Sequence, residues 1–220
     1  IFEGKTYEME KHGFARKTNF TIIEKTESSA KFIIKANDKT LKKYPFYFEL
    51  EVLFEIKDRK LIVSNTVKNI DKKPIYFTIG THPAFNLPLE NATLNDVFVM
   101  FDKKEDFQRY KLLDGLLLCE TEPFQLKDNN RIYLSTNIFN DDALIFKNIN
   151  SRLISIGSTK SDFHLTLKNT GDAPHIGIWA KPGAPYVCIE PWHGHADFVD
   201  SNKEFIEKDS TIKLNTGKEF

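Results

Sequence analysis

The 220-residue sequence predicts an all-β sandwich, and three observations carry that reading. Apolar residues recur with a period of two over most of the chain, clusters of turn residues separate the alternating segments, and helical periodicity is nearly absent. Many strands at short spacing with little helix describe a sandwich or barrel, and one sandwich absorbs this whole length.

Phe20 to Glu24 and Ala30 to Ala36 alternate on either side of Thr26-Glu27-Ser28-Ser29, the first hairpin signal. From Phe46 to Ile56 every even position is apolar, while the odd positions include Glu49, Glu51 and Glu55. Such a strand is expected to lay one face on a core and the other in water. Lys57-Asp58-Arg59 turns the chain into Leu61 to Asn69, and Asn69-Ile70-Asp71 leads to Ile75 to Ile79. Leu153 to Ile156 and Phe163 to Lys168 flank Lys160-Ser161-Asp162, and Asn169-Thr170-Gly171-Asp172 precedes Ile176 to Trp179. Tyr186 to Ile189 closes the series. Lys103 to Leu113 and Asp200 to Asp209 read as short helical turns. No Ser/Gly linker, low-complexity tract or internal repeat divides the chain, so residues 1–220 are expected to form a single β-sandwich domain.

Charge and composition exclude several classes. Lys+Arg and Asp+Glu both number 31, and the runs Lys42-Lys43, Lys72-Lys73 and Lys103-Lys104 each sit among acids. No clustered positive field exists for a nucleic acid, whose binding depends on releasing counterions. Val97 to Phe101 is about the longest apolar run, far short of a membrane span. Cys119 and Cys188 are too few and too far apart for a disulfide scaffold. The opening Ile1-Phe2-Glu3-Gly4-Lys5 holds no initiator Met and no basic-plus-apolar leader, so no signal peptide is visible, and the two cysteines are expected as free thiols in a reducing cytoplasm. A small molecule is the expected partner, and the chain is expected to be a monomer or homodimer.

Four segments set polar residues in unusual company. In Lys11-His12-Gly13-Phe14-Ala15-Arg16 a His, a permissive Gly and an Arg fall within one short span. That suits a pocket for an oxygen-rich or anionic ligand, or an exposed loop with ordinary charges. In Gly80-Thr81-His82-Pro83-Ala84-Phe85-Asn86-Leu87 the proline stiffens the end of a strand and holds His82 in place. His82 is then either a positioned acid or base or a core histidine satisfied by backbone. In Val187 to His195, alternation puts Tyr186, Cys188 and Glu190 on one face, so Glu190 points with apolar neighbours. Burial of such a carboxylate would raise its pKa toward a value useful to a general base, unless it only caps the strand. Trp179 and Trp192 lie near it, and aromatic faces stack on the apolar side of sugar rings. In Asn140 to Phe146 the pair Asp141-Asp142 can grip adjacent hydroxyls or a cation, or serve as ordinary turn chemistry. His193 and His195 share one side of an extended segment, but the Glu that follows such a pair at short range in cupin-like barrels is not found after His195, so no metal is expected. A Gly-rich phosphate loop, a serine nucleophile elbow and a zinc Cys pattern are all missing from the sequence.

Taken in order, His12 to Arg16, Thr81 to Leu87, Asn140 to Phe146 and Cys188-Ile189-Glu190-Pro191-Trp192 with Gly194 resemble the aldose 1-epimerase (galactose mutarotase-like) family. The bacterial LacX-like branch is the most similar, and the segment from Asp197 through Ser201-Asn202-Lys203 to Gly217 shares the likeness. The resemblance implies a β-supersandwich and the interconversion of α and β anomers of a free sugar, without cofactor. It carries over Glu190 as general base at the anomeric hydroxyl and His82 as general acid at the ring oxygen. His12, Asp142 and Trp192 would hold the sugar. Arg16 would meet a phosphate if the substrate were a hexose 6-phosphate, as in the related hexose-6-phosphate epimerases. A carbohydrate-binding protein without turnover is the other alternative. The family's chains begin with strands upstream of His12 that bear another sugar-contacting arginine, and this sequence has no counterpart for them.

The residue types suit that chemistry independently. Ring opening needs a proton removed at one oxygen while another is delivered to its neighbour. With ordinary values of about 4.3 and 6.5, a Glu carboxylate and some imidazolium coexist near neutrality.

Overall fold

The computed structural model describes residues 1–87, 92–128 and 130–220. Among these, strands are the main regular structure, with one short α-helix and a few 3₁₀ turns, and the chain falls into two compact units, Ile1–Phe77 with Lys203–Phe220, and Thr78–Asn202.

In the first unit β1 (Thr21–Lys25), β2 (Ser29–Lys35), β3 (Phe48–Lys57) and β4 (Lys60–Asn69) form an antiparallel sheet in that order. The four-residue helix α1 (Asp38–Leu41) joins β2 to β3. Asn37 caps it by accepting from the backbone N–H groups of Lys39 and Thr40, while Thr40 Oγ1 accepts from Asn37 N. The expected alternation in β3 is present, but its apolar face is buried at one end only. Phe48 is 4% exposed while Phe54 and Ile56 are 40% and 64% exposed. Ile56 lies opposite the exposed Leu61 of β4, so the two shield only each other's flanks. Tyr76 of β5 (Ile75–Phe77) joins Phe2, Tyr44 and Phe46 in an aromatic cluster around the fully buried Phe46.

The second unit is a sandwich of two sheets. One runs β10 (Arg131–Tyr133), β7 (Val97–Phe101), β12 (Leu153–Ser158), β13 (Ser161–Lys168). The other runs β6 (Ala84–Asn86), β15 (Tyr186–Trp192), β14 (His175–Trp179), β11 (Leu144–Phe146), β8 (Phe107–Leu113), β9 (Leu116–Phe124). Their inner faces meet in one core that includes Val99, Phe101, Ile154 and Ile156 from the first sheet and Phe146, Ile176, Ile178 and Ile189 from the second. Phe107 stacks on Phe146 with ring centroids 4.0 Å apart. Finally β16 (Ile212–Leu214) returns to the first unit and pairs with β5. Buried Asn69 fixes that return by donating from Nδ2 to the carbonyls of Lys73 and Leu214.

Two helical expectations need correction or narrowing. Lys103 to Leu113 is not helical: Phe107–Leu113 is the strand β8, in which Phe107 and Arg109 both point inward. An arginine at an inward position hides the period of two. Asp200 to Asp209 holds only the single 3₁₀ turn Phe205–Glu207.

Candidate active site

Strand β15 divides cleanly between its two faces. Val187 and Ile189 are 0% exposed and belong to the sandwich core. The alternate residues Cys188, Glu190 and Trp192 project from the opposite face of the sheet. Glu190 is nonetheless only 2% exposed, because this face is covered by its own constellation of side chains.

Trp192 shares that face of the strand. Gly177 stands directly opposite Glu190 in the ladder, and His175 stands opposite Trp192. The indole lies over the backbone of Gly177 and of Gly80. A Cβ on Gly177 would sit 2.5 Å from Trp192 Cη2 and Cζ2, and one on Gly80 would sit 2.5 Å from Cδ1. Only residues without a side chain let the ring lie this flat beside the carboxylate.

His82 reaches the same place from the loop before β6. The amide of Thr81 donates to the Pro191 carbonyl at 3.1 Å, and the amide of Ile189 donates to the Pro83 carbonyl at 3.2 Å. The backbone on both sides of His82 is thus tied to the residues on both sides of Glu190. His82 Nε2 lies 3.4 Å from Glu190 Oε2, with the imidazole side chain 41% exposed and the carboxylate side chain 3% exposed. The ring also meets Trp179 edge to face, centroids 6.3 Å apart. One partner of the pair faces solvent and the other is buried, a geometry that lets a ligand approach both from one side.

Cys188 completes the cluster. Its thiol is pushed up from 9.0 to about 11, first by burial and then by the Glu190 charge, so it stays protonated near neutrality. Its sulfur, a His82 ring nitrogen and a Glu190 carboxylate oxygen all lie within 4.8 Å of one another. Among the described residues this is where three metal-competent side chains converge. The His193-x-His195 pair is used otherwise: the His195 ring packs on His175 and Phe198, and burial lowers the pKa of His193.

Asp142 stands just before β11, two strands from β15 in the same sheet. Its φ is +71°, in the left-handed region, and its Oδ1 accepts from the Ala143 amide at 2.8 Å. Buried Arg109 steadies this turn through a bond from Nη2 to the Asp141 carbonyl at 3.4 Å. In the first unit His12 also has a positive φ, +67°, in the turn closed by Gly13 N donating to Glu10 O. Two sugar-holding candidates thus occupy a conformation uncommon outside glycine. Phe14 anchors the segment against Tyr44 and Phe48, which leaves His12 and Arg16 exposed.

Cys188 as a neighbour of both His82 and Glu190, and Gly80 and Gly177 as the bed for Trp192, went unseen in the sequence. A glycine between two isoleucines in a short strand was the available signal, since it marks a close approach.

The family model described as Aldose 1-epimerase matches residues 1–213. Protein LacX of Lactococcus lactis subsp. lactis, in a plasmid and a chromosomal form, is 30% identical over 213 residues. That match covers 93% of this chain and 70% of the relative. A galactose mutarotase related enzyme from Lactobacillus acidophilus has a similar structure, with TM-score 0.91 and 34% identity over 100% of this chain and 74% of that one. A galactose mutarotase-like protein from Lactobacillus casei is similar at TM-score 0.90 and 28% identity, over 100% and 76% of the two chains. The fold is therefore the galactose mutarotase-like one.

Proposed function

Because the chain belongs to the aldose 1-epimerase family and shares its mutarotase-like function, we propose that it interconverts the α and β anomers of a free aldohexose by acid–base ring opening at Glu190 and His82. The observation that carries this reading is the 3.4 Å approach of His82 Nε2 to Glu190 Oε2, half-exposed imidazole against buried carboxylate. An anomeric carbon bears its hydroxyl and the ring oxygen side by side. Two groups this close can address both oxygens at once within hydrogen-bond reach.

Glu190 takes the proton of the anomeric hydroxyl while His82, protonated at Nε2, gives one to the ring oxygen. The C1–O5 bond breaks and an aldehyde forms at C1. Rotation about C1–C2 presents the other carbonyl face. The ring-oxygen hydroxyl then attacks it, returning its proton to His82 while Glu190 protonates the new anomeric oxygen. Protons balance and both groups end as they began. Burial keeps Glu190 away from water, so its proton transfer is directed to the sugar. Asp142 holds sugar hydroxyls in this reading, and Trp192 lines the site. The reaction calls on no cofactor, and a cytoplasmic setting suits the two unpaired thiols. Among the described residues no helix is long and apolar enough to cross a membrane.

Polarimetry of freshly dissolved α-glucose and α-galactose tests the proposal. The protein accelerates mutarotation, and Glu190→Gln and His82→Asn each lower kcat by roughly 10²–10⁴, the usual contribution of one acid–base group. Wild-type protein that never exceeds the buffer rate would refute it. Sugar binding that persists in that case, with Glu190→Gln leaving affinity unchanged, would assign a carbohydrate-binding role instead.

A further inference from the structure

The acid–base reading leaves the Cys188 thiol unused, although it lies on the same face of β15 as Glu190 and is 2% exposed. Its sulfur belongs to the three-atom cluster with His82 and Glu190, whose members lie within 4.8 Å of one another. Imidazole nitrogen, thiolate sulfur and carboxylate oxygen together make a donor set for a borderline divalent cation. Magnesium and calcium take oxygen donors instead. Zinc-class bond lengths of about 2.0 Å to N or O and 2.3 Å to S bring such donors to roughly 3–4 Å from each other. The His82 and Glu190 atoms are already 3.4 Å apart. Small rotations about the half-exposed His82 side chain and within Glu190 close the remainder. Charge also balances, since one thiolate and one carboxylate neutralise a dication with a neutral imidazole. A buried site then carries no uncompensated charge.

We infer that His82, Cys188 and Glu190 form an inhibitory site for a zinc-class divalent cation, which excludes the sugar by ligating both groups that the reaction needs. On binding, Sγ bonds to the cation and the thiol proton leaves to solvent, with no change of oxidation state. A fourth ligand position faces the side on which His82 is exposed and is filled by water. Cation binding stands independently of the mutarotase mechanism, and the inhibitory consequence rests on it.

Cobalt(II) is the probe, because its bond to a thiolate produces a charge-transfer absorption that a site of N and O donors lacks. Wild-type protein and the variants Cys119→Ser, Cys188→Ser and His82→Asn are titrated with Co²⁺, then with Zn²⁺ in competition with a chelator. The wild-type, Cys119→Ser and Cys188→Ser samples are followed by polarimetry with and without Zn²⁺. One equivalent of Co²⁺ should give the band in wild type and in Cys119→Ser, and none in Cys188→Ser. Losing His82 should weaken cation affinity by more than the roughly 10–100-fold that loss of an outer-sphere partner costs. Zn²⁺ should silence mutarotation in wild type and Cys119→Ser, a chelator should restore it, and Cys188→Ser should keep turning over at that Zn²⁺ concentration. Absence of the band in both wild type and Cys119→Ser overturns the inference. So does a band that survives in Cys188→Ser and vanishes in Cys119→Ser, because the cation would then sit at the exposed thiol beside Asp200. A Cys188-dependent Co²⁺ band in a protein that shows no mutarotase activity when metal-free would uphold the cation site and refute the acid–base mechanism. Turnover without the band would do the reverse.

Discussion

Replacing Gly177 by alanine tests whether the indole of Trp192 is what orders Glu190. The added Cβ would lie 2.5 Å from Trp192 Cη2 and Cζ2. Carbon atoms in favourable contact stand about 3.5–4.0 Å apart, so the ring has to retreat by about 1 Å. Gly80 passes just as close to Cδ1, so the ring cannot simply slide along the strand without meeting more backbone. Overpacking of this kind costs about 1–3 kcal/mol, which lowers Tm by roughly 2–12 °C in a protein of this size. The retreat happens directly across the ladder from Glu190, and a misplacement of about 1 Å at a catalytic group can cost about 100-fold in rate. Gly157→Ala supplies the control. Its Cβ would meet Phe98 at 2.9 Å in the other sheet, so it overpacks the same unit away from the site. Polarimetry gives kcat/KM and calorimetry gives Tm for both variants. The expected pattern is lower stability in both and a rate loss confined to Gly177→Ala. If Gly177→Ala turned over at the wild-type rate with the destabilisation present, the placement of Trp192 would be without consequence for Glu190.

Arg16 is exposed in its 3₁₀ turn. If the substrate is a free sugar, Arg16→Ala changes turnover of hexose and hexose 6-phosphate equally. A loss restricted to the phosphosugar, seen by competing the two substrates, would move the proposal to the phosphorylated class. Glu10 accepts from Lys17 and Lys43, which lower its pKa from 4.5 to about 2. A carboxyl depressed on folding stabilises the native state above its unfolded value and loses that contribution as pH falls toward its folded value. The stability difference between wild type and Glu10→Gln should therefore be constant above about pH 5 and shrink between about 4.5 and 2, by urea titration at each pH. It should shrink at every pH in high salt, because the pairs are at the surface. A difference that grew on acidification would contradict the assignment.

What the sequence revealed depended on how each residue's neighbours were distributed. Strand β3 was legible because Phe48, Leu50, Val52, Phe54 and Ile56 alternate with positions that include Glu49, Glu51 and Glu55. Strand β7 is Val97-Phe98-Val99-Met100-Phe101 with both faces covered, so alternation has nothing to show and length alone cannot decide. Strand β8 was obscured by inward Arg109. Glu190 was legible because its parity with Tyr186 and Cys188 in β15 is a local property. The approach of His82 is not local: it follows from the Thr81 and Pro83 backbone bonds to β15, between segments far apart in the chain. The role of Gly177 needed the same long-range knowledge, since a missing side chain has meaning only once the ring that fills its place is known.

The division of β15 between core and site also constrains how this chain can change over generations. Val187 and Ile189 face the core, while Cys188, Glu190 and Trp192 face away from it. Inserting or deleting a single residue inside the strand would invert every position beyond it. A carboxylate would then enter the hydrocarbon interior, and an isoleucine would replace it where the imidazole waits. Length can vary in the turn before Tyr186 at small cost, but within 186–192 it is locked. A change that spares this sandwich and removes the Glu190 carboxylate from its face is therefore a substitution and not an insertion or deletion within the strand.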